Sequence, residues 1–143
     1  MKKGLLIILL IFAVIMSILF MKLENVKTVN RMALEFNSEY EYYNKSNLKG
    51  LDITTLINKA IDNNEKYEIN KTENNRYIED DKYSIKIQIK MKSNNKTYDM
   101  EQIYILGTEK FIALFGDVTF KCTNIEYHSK TGRISKMVFE SEI

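Results

Sequence analysis

The sequence predicts an α+β fold: a long N-terminal helix, first membrane anchor and then stalk, with further helices packed on an antiparallel sheet of about four strands. Three observations carry this. Eighteen uncharged residues run from Gly4 to Met21 with Ser17 as the only polar side chain. Apolar positions then continue at helical spacing as far as Tyr43, and residues 83–140 carry the two-residue alternation of strands.

The first segment reads as a membrane span. At about 1.5 Å rise per residue it reaches roughly 27 Å, close to the hydrocarbon thickness of a thin bilayer. A cleavable secretory signal would have a shorter apolar core and a small-x-small cleavage site, whereas this core ends in Phe20, Met21, Lys22 and Leu23. Residues 1–21 are therefore expected to be a retained transmembrane anchor, with the membrane contacted through 4–21, and residues 22–143 a single domain. Lys2 and Lys3 precede the span, so the positive-inside bias places the N-terminus in the cytoplasm and the domain outside, against the opposing pull of Lys22, Lys27 and Arg31.

Charge narrows the function classes. All 19 acidic residues and 19 of the 21 basic ones follow the anchor, so the domain is formally neutral and the net charge of +2 comes from Lys2 and Lys3. A neutral domain without a basic cluster lacks the field that drives nucleic-acid binding, and no nucleic-acid partner is expected. Cys122 is the only cysteine, which excludes an intrachain disulfide. It shares a strand face with Val118 and Phe120, so a buried, inert thiol is expected. The abundance of Lys, Ile and Asn, with no Pro or Trp, matches the codon usage of an AT-rich bacterial genome. The sequons at Asn44, Asn70 and Asn95 occur at the frequency chance gives in so Asn-rich a chain.

Beyond the anchor, Val26, Val29, Ala33, Phe36, Tyr40 and Tyr43 form one helical stripe, so the helix is expected to continue from Gly4 to about Asn44, with 22–45 as stalk. The stripe is expected to pack on the protein's own sheet, the alternative being a coiled coil with a partner. Asp52 suits the N-cap of a second helix carrying Ile53, Leu56, Ile57, Ala60 and Ile61, with Asn63-Asn64 ending it. Residues 65–82 read as a long connection with room for a short strand near 67–69. Tyr83, Ile85, Ile87, Ile89 and Met91 alternate with polar residues in the clearest strand, and 97–100 can return antiparallel to it. Met100 to Phe115 follows helical spacing with a break near Gly107. Residues 117–127 and 133–140 form a hairpin around 128–132, with a bulge near Thr123 and Asn124 where the apolar phase shifts. The sheet region is thus 83–140.

Chemical signatures are sparse. His128 is the sole histidine and sits in a turn, where a solvated role is expected. Glu79-Asp80-Asp81 with Asp62 or Glu73 could gather round a cation, but the run lacks the alternate spacing and central Gly of a calcium loop and reads as a solvated acidic turn. The five glycines are too scattered to cradle a nucleotide. No residue is expected to act in catalysis or to hold a cofactor or metal, and the chain is not expected to be an enzyme. Tyr40, Tyr42 and Tyr43 close the stalk helix, either capping the core or offering a contact surface.

The segment Gly50 to Asn64, followed by Tyr83–Met91 and Ile125-Glu126-Tyr127-His128, resembles a set of small membrane-anchored proteins of Gram-positive bacteria. The overall layout, a short basic start, a long apolar helix leaving the membrane and a C-terminal sheet, is similar to that of type IV pilins and pseudopilins. In that family a Gly precedes the cleavage point, matched by Gly4. Leu9 stands where a Glu is usual, and Leu5 where Phe or Met is usual. The expected function is that of a single-pass cell-membrane protein whose external domain is a binding or accessory module with a possible protein partner, and the pilin-like layout implies the alternative, an assembly subunit.

Overall fold

The computed structural model describes residues 2–142 and shows an α+β chain. The elements are α1 (Lys2–Glu41), β1 (Leu48–Lys49), α2 (Gly50–Lys66), β2 (Lys86–Met91), β3 (Lys96–Asp99), α3 (Met100–Leu106), α4 (Thr108–Phe115), β4 (Thr119–Tyr127) and β5 (Ile134–Ser141). The orienting side chains of Lys2 and Lys3, and residue 143 at the end of the expected domain, lie outside what is described.

Helix α1 is unbroken because nothing between Leu5 and Leu48 is Gly or Pro. Its 40 residues give about 60 Å of helix. Every side chain from Gly4 to Met32 is exposed, and this helix is long and apolar enough to cross a membrane. The stripe packs over only part of its length. Val26 and Val29 are exposed, whereas Ala33, Tyr40 and Tyr43 are buried and Phe36 is half-buried. Asn37 fastens the helix to the β4–β5 turn: its amide donates to the Gly132 carbonyl at 2.9 Å and its oxygen accepts from the Ile134 N–H at 2.9 Å.

The sheet has five strands in the order β1-β4-β5-β2-β3 and is mixed. This corrects the expected antiparallel sheet of about four: β2 and β5 run parallel, Ile87 opposite Met137 and Ile89 opposite Phe139. Alternation fixes which face a side chain takes, but not which strand lies alongside. The added strand β1 is two residues that pair with the start of β4. On the inner face Ile87, Ile89, Met91, Phe120, Met137 and Phe139 share one core with Leu56, Ile57 and Ile61 of α2, Met100 and Ile103 of α3, Phe111 of α4 and Tyr40. The β4–β5 register slips between Cys122 and Asn124, where the phase shift placed the bulge. Helices α3 and α4 part at Gly107, whose φ of 94° a side chain would strain.

Three local readings change. Asp52 is not the N-cap of α2: the helix starts earlier, at Gly50, and the Asp52 carboxylate accepts the Lys49 N–H at 2.8 Å from within the first turn. Asn63 and Asn64 lie inside α2, which runs on to Lys66. Asn64 pairs through both amide atoms with the Ile85 backbone, at 2.8 and 2.9 Å, and so aligns the entry to β2. In the connection, the pairing is an isolated bridge between Lys71 and Tyr77 rather than a strand at 67–69.

Candidate functional site

Helix α2 returns alongside the stalk. Lys59 Nζ meets the Glu39 carboxylate at 2.9 Å, and one turn further the helix carries Asn63 and Lys66 past Phe36. Between the two helices lies a cleft of about 390 Å³, walled by Val29, Met32 and Phe36 of α1 and by Lys59, Asp62 and Lys66 of α2. Tyr67, Tyr83, Thr131 and Arg133, brought in by the connection after α2 and by the β4–β5 turn, also line it.

Arg133 is the centre of this site, and it is 5% exposed. Its guanidinium carbon lies 3.8 Å from the Phe36 ring centroid, 4.7 Å from Tyr67 and 5.2 Å from Tyr83. Tyr67 and Tyr83 stack on each other at 4.6 Å with planes 6° apart. The ring faces offer their negative quadrupoles to the cation. One Nη donates to Asn63 Oδ1 at 3.2 Å, while the buried Nε has no acceptor. Arg133 forms no ion pair among the described residues. Burial, and then Glu39 beside it, push the Tyr40 hydroxyl far above its ordinary value, so this phenol stays neutral on the cleft wall. The cleft lining offers ring faces, three cations in Lys59, Lys66 and Arg133, three carboxylates in Glu35, Glu39 and Asp62, and the Asn63 amide.

The residues singled out in the sequence do not assemble into this site. His128 is buried rather than solvated: Nε2 lies 2.6 Å from the Ser84 carbonyl, tying the β4–β5 turn to the start of β2. The acidic run disperses to separate partners, with Glu79 on Lys86 and Asp81 on Lys130. Burial pushes the Asp80 carboxyl up, but the N–H groups of Ser84, Tyr83 and Lys82 outweigh it and hold the group down at about 2. No group of three or more His, Cys, Asp or Glu suited to a metal occurs among the described residues. Cys122 is half-buried, and burial raises its thiol, which favours the inert protonated form. Of the three stalk tyrosines, Tyr40 and Tyr43 enter the core, while Tyr42 is exposed and donates to Asp52 at 3.2 Å.

Sequence reasoning missed Arg133, because a lone basic residue after a turn Gly reads as solvated. The available signal was positional: Arg133 directly precedes Ile134, which is buried at the head of β5.

Two smaller hollows accompany the cleft. One, of about 200 Å³, is lined by Tyr77, Tyr104 and Glu101, whose Oε1 accepts the Tyr77 N–H at 3.0 Å while its buried Oε2 has no partner. The other, of about 240 Å³, is an apolar groove between α3 and α4 edged by Leu106 and Leu114. Comparison with protein-family models, with curated proteins and with solved structures gives no match.

Proposed function

We propose that this protein is a single-pass, membrane-anchored binding or accessory module, with residues 4–21 in the cell membrane, the N-terminus in the cytoplasm and the folded part outside. The observation that supports it most is the pairing of a fully exposed apolar helix segment with a recognition cleft built against the same helix. Val29 follows Met21 by eight residues, so the mouth of the cleft stands about 12 Å beyond the span. A binding site held at a set height beside a membrane fits capture or presentation rather than turnover.

Two measurements test the reading. A phosphatase fused after Ile143 is active in cells if the domain is outside, and an inactive phosphatase with a bright cytoplasmic reporter at the same place reverses the topology. A photo-crosslinking residue at Met32, on the cleft wall, captures a discrete adduct in cells if the cleft is occupied. The absence of such an adduct, with adducts forming equally from exposed sites elsewhere, removes the binding reading.

The exposed stalk surface at Val26, Val29 and Met32 supports the second reading, a pilin-like assembly subunit in which such helices pack on one another. Leu9 in place of the usual Glu weighs against it. Intact mass discriminates: a mature N-terminus at Leu5, particularly if methylated, favours assembly, and a retained Met1 favours the anchored module.

A further inference from the structure

We propose that the Arg133 cleft binds an oxyanion, a carboxylate or a phosphate, carried on an apolar body. This rests on the binding-module reading and names the ligand chemistry of that site. A cation removed from water is costly unless it is paired and hydrogen-bonded. Arg133 is 5% exposed, has one neutral acceptor in Asn63 and keeps a buried Nε–H with no acceptor. The aromatic rings compensate the charge only in part, because a ring quadrupole does not take up N–H donors.

The acids that line the cleft leave Arg133 without a carboxylate partner. Glu39 holds Lys59 at 2.9 Å and Glu35 faces Arg31 at 3.8 Å. With Asp62 they balance Lys59, Lys66 and Arg133, so the lining is formally neutral, yet none of its carboxylates pairs with Arg133. A guanidinium presents a planar fork that matches the two oxygens of a carboxylate or phosphate. Val29 and Met32, 40% and 52% exposed, extend the wall as an apolar surface towards the membrane. An anion with an apolar body would satisfy both ends at once. Such an oxyanion could come from a free small molecule or from a lipid headgroup, which share the chemistry and differ in source.

The chain has three arginines, so the Nε–Hε resonance of Arg133 is identified by its loss in Arg133→Lys. The full chain, labelled with nitrogen-15 in neutral detergent micelles, is titrated with benzoate, with inorganic phosphate and with the neutral analogue benzamide. The same resonance is read in nanodiscs of phosphatidylglycerol and of phosphatidylcholine. A saturable shift with benzoate or phosphate and none with benzamide is the expected result and assigns a free ligand. A shift confined to phosphatidylglycerol discs assigns a lipid phosphate. Arg133→Lys, which keeps charge but loses the fork, weakens benzoate binding at least about tenfold. Lys66→Gln, an exposed change that leaves the fold intact, weakens it about threefold. An unmoved resonance in every arm of a folded chain, or equal shifts with benzamide and benzoate, overturns the proposal and leaves Arg133 as a packing element, with the anchored-module reading still standing. A cytoplasmic reporter result would overturn that reading instead and leave the titration untouched.

Discussion

Helices α1 and α2 carry the same kind of apolar pattern and meet different fates. Nine of the 17 residues of α2 are buried, from Gly50 to Asn64. In α1, only Ala33 and Tyr40 are buried among the described side chains. Periodicity identifies the face a helix turns towards other groups, yet it does not say how far the protein extends to meet that face. Burial along the stripe begins at Ala33, and Val29 and Val26 continue it as exposed side chains.

The contrast can be broken at several points. Leu56→Ala, enclosed by the core on every side, should cost about 4 kcal/mol because the cavity cannot relax, measured by urea unfolding of the full chain in neutral micelles. Tyr40→Ala should cost less, about 3 kcal/mol, since α1 meets the core along one side and can settle into the space. If the Tyr40 variant proves the costlier of the two, the stalk is as integral to the core as α2. Asn37→Ala removes both bonds to the β4–β5 turn and should cost about 1–2 kcal/mol, with hydrogen exchange at Ile134 rising in step.

Acid probes the loop that follows α2. The Asp80 carboxyl titrates at about 2 in the folded chain, below the ordinary carboxylate value, so its charged form favours the fold. That contribution is complete above about pH 4 and disappears as the pH falls towards 2. Asp80→Asn should therefore lower stability at neutral pH and flatten the acid limb of the stability curve, and an unchanged limb would place the acid response elsewhere. The smallest effect is expected for Val26→Ser with Val29→Ser, within about 0.5 kcal/mol of the parent. A larger loss from this pair would mean that the outer stalk is covered by something in the measured sample.

Residues whose conformation is decided locally were legible in the sequence. The β2 alternation, the break at Gly107 and the bulge between Cys122 and Asn124 each follow from backbone and face requirements within a few residues. The parallel β2–β5 pair was not legible, because it joins positions 50 residues apart in segments whose patterns fit either direction. The cleft was hidden for the same reason. Asn63 and Asn64 looked like helix breakers, His128 a turn residue and Arg133 only the first residue of a strand, and only the tertiary placement turns each into a buried donor or acceptor. Polar residues that bond across the chain leave no periodic trace.

The unbroken course of α1 has a rotational consequence. A continuous helix transmits twist as well as height, since each added residue turns what lies beyond it by about 100° while raising it about 1.5 Å. With no hinge residue between the apolar segment and Phe36, the direction in which the Arg133 cleft opens is set by how that segment is rotated about its own axis. Lengthening the stalk by one residue before Ala33 would swing the cleft through more than a quarter of a circle and barely change its altitude. The residue count between Met21 and Ala33 therefore acts as a compass bearing for the domain.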